Sequence, residues 1–426
     1  MYLADRSAPR GPSDPSGTTT TAPGRGPRAA LRAVPPTVLA LGTVSLITDV
    51  SSEMVSAVLP LYLVMGLGLS PLGFGMLDGL QNGVSALVQL TGGHLADRVR
   101  DHKLVAAIGY GLSALVKPLL LVHHLGALGA ALALDRTGKG LRTAPRDALI
   151  SLSAPPERQG RAFGLHRAMD TTGALLGPMA AFLILGVATG GYDAVFAVSG
   201  CVAALGVLVL LLFVPGGRRP AKPDPSGQPK VDLRAAFGLL RTRRLRVLFG
   251  CAVLLGLTTV SDAFLYLLMQ RRTGLDEQLF PLLPLGTATV FLLLALPVGR
   301  LADRVGRRSV FLAGHAGLLV AYGLLLWAPA TPALPYLVLA LHGAFYAATD
   351  GVLPAAVAAV VPERLRASGI ALVGTGQALA RFCCSLAFGA VWSTWGDGPA
   401  LAAAAAGLAC CAAAAGVALR PSGDPR

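Results

Sequence analysis

The sequence predicts an all-α membrane protein with 12 transmembrane helices in two pseudo-symmetric six-helix halves. Hydrophobic residues make up 54% of the chain and charged residues 14%, with a mean hydropathy of +0.63, which is far from a soluble domain. Two motifs also occur twice at one interval. Gly-x-Leu-Ala-Asp-Arg begins at 93 and 299, and Pro-Glu-Arg begins at 156 and 362, both 206 residues apart. Such internal duplication is typical of secondary transporters.

The apolar stretches are the elements of this prediction, because about 20 mostly apolar residues cross a bilayer core of roughly 30 Å. The predicted spans are 37–65, 72–95, 104–124, 126–150, 162–187, 192–214, 246–270, 278–298, 309–328, 333–358, 367–393 and 397–418. Residues 37–214 then form the N-terminal half and 246–418 the C-terminal half. Residues 1–36 and 419–426 are predicted to be cytoplasmic tails, the first of them disordered, and 215–245 a cytoplasmic linker.

The net charge of +14 would suggest nucleic-acid binding in a soluble protein, but the basic residues here occupy alternate loops. They concentrate before the first span, after the second and fourth, and in 215–245. The positive-inside rule then predicts that both termini are cytoplasmic in a plasma (inner) membrane. The expected surroundings are the lipid bilayer, with no nucleic-acid partner.

Asp49 and Glu53 are the first candidate functional residues. They lie four residues apart and share one face of the first span. Burial and mutual repulsion make such carboxylates suited to reversible proton binding. Structural pairing with cations of neighbouring helices is the alternative.

The fourth span has one strongly polar face. At about 100° per residue, its six charged residues fall within an arc of roughly 140°. They are Asp135, Arg136, Lys139, Arg142, Arg146 and Asp147. This face is predicted to line the central cavity or its cytoplasmic mouth, where its cations would offset Asp49 and Glu53 or attract an anionic substrate.

Other charged and polar residues within the spans are assigned by position. Asp262, Asp350 and Gln81 are further substrate-cavity candidates, together with Lys139 and Arg142. His166, Arg167 and Asp170 begin the fifth span, and with Arg146 and Asp147 they predict a cytoplasmic gate; a proton relay between His166 and Asp170 is the alternative. Lys117 is either a cavity cation or a residue that snorkels near the outer surface, the second being favoured.

Motifs for other functional classes are missing from the sequence. It has no GxxxxGK[ST] phosphate loop and no HExxH zinc motif, and the six cysteines lie in apolar segments without metal-ligand spacing. We therefore expect no enzymatic activity, no cofactor and no metal. Without an ATP-binding motif, an ion gradient is the expected energy source.

The duplicated loop motif resembles that of the major facilitator superfamily, GxLaDRxGRR, and the resemblance covers about residues 37–418. The match is close at 299–308, whereas in the first copy Arg100-Asp101-His102-Lys103 replaces the usual Gly-Arg-Arg. The resemblance implies the superfamily's twelve-helix fold and a brace on the cytoplasmic side of the outward-facing state. The gate residues it implies are Asp97, Arg98, Asp303, Arg304, Arg307 and Arg308.

Two further motifs resemble those of proton-coupled members. Arg136-x-x-x-Gly140 resembles the motif associated with proton transfer, with a structural ion pair as its alternative role. Gly173-x-x-x-Gly177-Pro178 resembles the core of the signature of drug:proton antiporters, although Ala180 and Ala181 replace later glycines. The resemblance thus implies a monomeric, proton-coupled transporter that exports a small organic solute. Proton-driven uptake of a small anionic metabolite is the alternative.

Overall fold

The computed structural model describes residues 35–98, 101–155, 158–188, 191–215, 238–362 and 365–419, and these form 14 α-helices, a π-helical turn at Tyr62–Gly66 and short 3₁₀ helices at Lys117–Leu121 and Glu277–Leu279. The helices are α1 Pro36–Leu61, α2 Pro71–Arg98, α3 His102–Leu115, α4 Leu125–Ser153, α5 Gln159–Val187, α6 Gly191–Phe213, α7 Arg243–Gly256, α8 Asp262–Thr273, α9 Leu282–Val305, α10 Arg307–Trp327, α11 Leu334–Thr349, α12 Val352–Val360, α13 Arg366–Trp395 and α14 Asp397–Ala418. No strand occurs in the described ranges. This confirms the all-α membrane class.

Nine segments of the described chain are long and apolar enough to cross a membrane. The predicted spans 72–95, 126–150 and 246–270 are not among them, although each contains helix. In α4 the six charges lower the hydropathy. The full count of 12 spans therefore stays a prediction, as do the tails and linker, most of which lie outside the described residues.

Two predicted spans are interrupted. The seventh divides into α7 and α8 around the non-helical residues 257–261, and the tenth divides into α11 and α12 at Asp350 and Gly351. The β-branched run Thr258-Thr259-Val260 followed by Ser261, a good N-cap residue, accounts for the first break. Both breaks lie on one central cavity, which suits backbone that is not helical at membrane depth.

The helices of each half alternate in direction. One core cluster joins the first turns of α1, α3 and α5 to the last turns of α4 and α6, through residues such as Val38, Ala106, Ala162, Ile150 and Leu210. In the second half the last turn of α14 contacts the first turn of α10. We call the end of the bundle with these turns the terminal end, because α1 begins and α14 finishes there, and the opposite end the distal end.

The two halves meet towards the distal end. The backbone N–H of Leu72 donates to Ser393 Oγ over 2.9 Å, and Tyr192 donates to Glu277 Oε2 over 2.8 Å. Deeper in the bundle, Ser385 of α13 donates to Asp78 of α2 over 2.6 Å. These described contacts close the distal end of the interface.

Glycines bring α1 and α5 together. A Cβ at Gly173 would collide with the carbonyl oxygen of Leu46, and one at Gly177 would lie 2.7 Å from Glu53 Cβ and 2.9 Å from Val50 O. The antiporter-like motif is therefore also the packing surface for the helix that carries Asp49 and Glu53.

Gly177→Ala is expected to lower stability by about 1–3 kcal/mol, because the new methyl group must displace the backbone of α1. The measurement is the thermal unfolding midpoint of the purified protein in detergent. Gly164→Ala on the same helix is the matched control, since a Cβ there has no neighbour within 4 Å. Equal midpoints for the two variants would contradict the close packing at Gly177.

Candidate functional site

Charged side chains of α4 point into the first half of the bundle. Arg142 is only 3% exposed; its Nη2 lies 3.9 Å from Asp49 Oδ1 on α1, and its Nη1 donates to Ser113 Oγ over 3.1 Å. The guanidinium also lies over the Tyr110 ring, 4.7 Å from its centroid. Asp49 and Arg142 thus form a buried ion pair between α1 and α4.

The predicted gate residues cluster one turn nearer the terminal end. Arg146 Nη1 lies 3.7 Å from Asp170 Oδ1, and Arg146 Nε lies 3.0 Å from Asp147 Oδ1. Ser45 Oγ accepts from Arg146 Nη1 over 3.4 Å and is 2.9 Å from His166 Nε2. The structure therefore brings together four of the five residues, while Arg167 is 80% exposed and reaches Asp170 at 3.7 Å.

The carboxyl groups of Asp49 and Asp170 are neighbours at hydrogen-bonding range, so that these two ionic groups form one network. Two carboxyl groups in such contact can share one proton, which relieves their repulsion. Lys139 is also close enough to Asp49 to stabilise its charge. We call Asp49, Lys139, Arg142, Arg146 and Asp170 the N-half network.

Lys117 lies inside the bundle, beside a small internal cavity that Gln81 and Arg136 also line. Its side chain is 3% exposed and that of Asp135 is 15% exposed, and Lys117 Nζ lies 3.5 Å from Asp135 Oδ1. The snorkelling interpretation is therefore wrong. The reason is that Asp135 lies on the next helix at the same depth and compensates the buried cation.

A polar cavity of about 430 Å³ lies between the two halves. Glu53, Gln81, Asp262 and Asp350, all predicted from the sequence, line this cavity, together with Arg136. Lys139 and Arg142, predicted for the same cavity, are not among its lining residues in the described part of the chain. They face the N-half network instead. Glu53 and Asp49 thus have different surroundings although they share a helix face.

Polar side chains of the second half form a hydrogen-bonded chain beside the cavity. Tyr266 donates to Thr287 Oγ1 over 2.9 Å, and that oxygen lies 3.2 Å from His342 Nδ1. His342 Nε2 lies 3.3 Å from Asp262 Oδ1, which also accepts from Tyr346 over 2.5 Å. His342 was missed in the sequence. Its only signal there is the spacing of four to Tyr346 in an otherwise apolar helix.

Three charged groups of the cavity make no direct hydrogen bond or ion pair in the described ranges, although Arg381 and Asp350 attract each other over a longer distance. The carboxyl groups of Glu53 and Asp350 make no hydrogen bond or ion pair there, and Arg381 has no carboxylate within 4.0 Å. Arg381 Nε is fully enclosed and lacks any hydrogen-bond acceptor. By contrast, Arg136 donates to Gln81 Oε1 from Nε and Nη2, over 3.3 and 2.9 Å.

The second copy of the loop motif anchors the terminal end of α10. Arg307 donates to the carbonyl oxygen of Ala355 over 2.8 Å and lies 3.9 Å from Asp303, while Arg308 donates to the carbonyl oxygen of Gly416. Gly306, with φ of +100°, makes the sharp turn between α9 and α10. Arg304 is exposed. For the first copy, Asp97 and Arg98 end α2, and their side chains lie outside the described ones.

Comparison with known proteins shows to which family the chain belongs. The family model for the Major Facilitator Superfamily matches residues 41–292 and 248–426. The chain belongs to the major facilitator superfamily. An uncharacterized transporter of this superfamily from Methanocaldococcus jannaschii is 31% identical over 365 residues, which cover 83% of this chain and 88% of the relative.

Solved structures support the same fold. The nucleoside transporter NupG superposes with a TM-score of 0.75 at 15% identity, over 91% of this chain and 100% of that one. A bacterial homolog of the human lysosomal transporter Spinster gives a TM-score of 0.65 at 16% identity, over 93% and 95% of the two chains. The protein is therefore a multi-pass membrane transporter with the superfamily's fold.

Proposed function

We propose that this protein is a proton-coupled secondary transporter that exports a small organic solute by alternating access. The observation that carries the proposal is the contact between the carboxyl groups of Asp49 and Asp170 within a cluster of cations. A proton gained or lost there changes the net charge of a buried network between α1, α4 and α5. Such a change favours one arrangement of these helices over another.

The coupling follows from which cations the carboxylates compensate. When Asp49 is ionised, it holds Arg142 at 3.9 Å, and Asp170 holds Arg146 at 3.7 Å. Protonation of the pair removes one negative charge, so the excess of cations over carboxylates in the network grows from one to two and the ties between α1 and α4 weaken. Because Glu53 lies one turn further along α1 and lines the cavity, movement of α1 would reach the bound solute.

Export is supported by the resemblance of Gly173, Gly177 and Pro178 to the antiporter signature, and by their position against α1. Proton-driven uptake of an anionic metabolite is the second candidate, which the two guanidinium groups of the cavity, Arg136 and Arg381, favour. The protein in this proposal is a monomer in the plasma membrane with both termini cytoplasmic. The distribution of basic loops supports the orientation of the termini.

Proton flux in proteoliposomes tests the proposal. The purified protein is reconstituted with a pH-sensitive dye inside, and cationic, neutral and anionic compounds are added outside one at a time. A compound-dependent pH change is the expected result, and its sign distinguishes antiport from symport. A compound that is transported without any pH change would contradict proton coupling.

A further inference from the structure

We propose that the central cavity selects a zwitterionic solute, one that carries both an acidic group and an amino group. This inference rests on the proposed function and names the class of its substrate. The observations that carry it are the three unpaired charges of the cavity, which are of both signs and come from both halves.

Arg381 of α13 requires an anionic partner. Its Nε is enclosed and has no acceptor, and its guanidinium has no carboxylate within 4.0 Å in the described chain. A buried cation without a hydrogen-bonded anion is strongly unfavourable, so the side chain is maintained here at a cost. A ligand carboxylate or phosphate would supply the missing acceptor, and guanidinium is well suited to bind either in a bidentate manner.

The N-terminus of α8 lies in the same half of the cavity, with the Asp262 carboxylate in its first turn. The seventh span is broken at 257–261, so that α8 begins at Asp262 in the cavity wall. The partial positive charge of a helix N-terminus stabilises an adjacent anion. Broken helices of this kind form the solute sites of other transporter folds by presenting a half-helix N-terminus to an anionic group.

Two carboxylates require a cationic partner. Glu53 of α1 lines the cavity in the first half, Asp350 at the end of α11 lines it in the second, and neither has a described ion pair. A solute that is only an anion would bind Arg381 in competition with Asp350 and would leave Glu53 without an ion pair. A solute that is only a cation would leave Arg381 without its acceptor. A zwitterion satisfies both requirements.

Asp262 does not change this balance, because His342 and Tyr346 already satisfy its carboxyl oxygen Oδ1. Arg136 donates its hydrogen bonds to Gln81, which is neutral, so its positive charge adds to that of Arg381 in the cavity. The volume of about 430 Å³ lies within the range of cavities that bind small organic ligands. The cavity is therefore large enough for one solute that reaches from Arg381 to a carboxylate.

Equilibrium binding to the purified full-length protein tests this inference without any gradient. The probes are sets of three compounds that share one skeleton and differ only in charge. One set is phenylalanine, 2-phenylethylamine and 3-phenylpropionate, and matching alkyl and indole sets extend the range. Binding is measured by calorimetry and by the shift in thermal unfolding midpoint. Within at least one set, the zwitterion is expected to bind at least about tenfold more tightly than either singly charged compound.

Arg381→Gln is expected to remove this preference, weakening the zwitterion about 10- to 100-fold and the amine little. Arg381→Lys, which keeps the charge, should retain part of the preference and shows that loss is not caused by misfolding. Arg246→Gln, at an exposed arginine of α7, is the control and should bind like the unmodified protein.

Three outcomes would overturn the inference: an amine or an acid that binds as tightly as its zwitterion in every set, no binding of any zwitterion, or an unchanged preference in Arg381→Gln. Failure here is distinct from failure of the proposed function. Proton flux driven by a singly charged compound would leave proton coupling standing while the zwitterion inference falls. Preferential zwitterion binding, together with zwitterion transport that causes no proton flux, would leave the zwitterion inference standing while proton coupling falls.

Discussion

Asp49→Asn is expected to abolish gradient-driven transport in proteoliposomes while exchange of solute between equal compartments continues. Asparagine keeps the size of the side chain but cannot carry the proton or the negative charge that faces Arg142 at 3.9 Å. If the contact between Asp49 and Asp170 is the coupling site, the network then has a fixed charge, and the proton gradient no longer acts on it. Solute binding in the cavity is unaffected in this scheme, because Asp49 is not among the described lining residues.

The measurement is solute accumulation under an imposed pH gradient, followed by counterflow with solute on both sides and no gradient. Glu53→Gln and the double variant are assayed together with Asp49→Asn, since Glu53 is the other carboxylate of this helix face. Asp276→Asn, at an exposed residue between α8 and α9, is the matched control and should transport normally. Accumulation that persists in both single variants and in the double variant would exclude proton coupling through α1.

The helices and their internal symmetry could be predicted because they depend on local composition and on repeats. The 206-residue offset and the apolar stretches need no knowledge of tertiary contacts. The polar face of α4 was also readable, since charges within one arc of a helix must turn away from lipid. The structure confirms that charged residues of this face contact polar side chains: Asp135 contacts Lys117, Arg136 contacts Gln81, Arg142 contacts Ser113 and Arg146 contacts Asp147.

The partners of these charges could not be predicted, because helix periodicity gives a direction and not a neighbour. Asp49 and Glu53 share a face, yet four residues separate them by about 6 Å along the helix axis. That distance is enough to place one beside α4 and α5 and the other in the cavity. Lys117 illustrates the same limit, since Asp135 becomes its partner only through the packing of α3 on α4.

The interruptions at 257–261 and at Asp350 were missed for a related reason. Hydropathy averages over a window of about 19 residues and ignores a short polar run within an apolar segment. Thr258, Thr259 and Ser261 reduce the average only slightly, although together they favour a helix start at Asp262. Helix-capping residues inside a predicted span therefore indicate a break in the helix, and such breaks are candidate solute sites.

Lys117→Met is expected to lower stability by about 3–5 kcal/mol, because the buried Asp135 loses the only cation within 4.0 Å of it in the described ranges. The pair is at 3.5 Å, and Asp135 Oδ1 has no other hydrogen-bond partner in the described ranges. Unfolding can be followed with a thiol-reactive dye as a rise above the signal of the exposed Cys201, Cys383 and Cys410, since Cys251 and Cys384 are buried and become reactive when the bundle opens. Lys103→Met, at the start of α3, is the control, since the half-buried Lys103 side chain forms no ion pair in the described ranges and donates one hydrogen bond to the carbonyl oxygen of Leu211; it should change stability by no more than about 1.5 kcal/mol.

The double variant Lys117→Met with Asp135→Asn separates loss of the ion pair from loss of packing. When both charges are removed, no buried charge remains unpaired, and the double variant should be more stable than Lys117→Met alone. This reversal has a clear physical cause, because the cost lies in the charge left behind rather than in the contact that is lost. A double variant as unstable as the sum of the two single changes would show that the two residues act independently, and Lys117 would then contribute by packing alone.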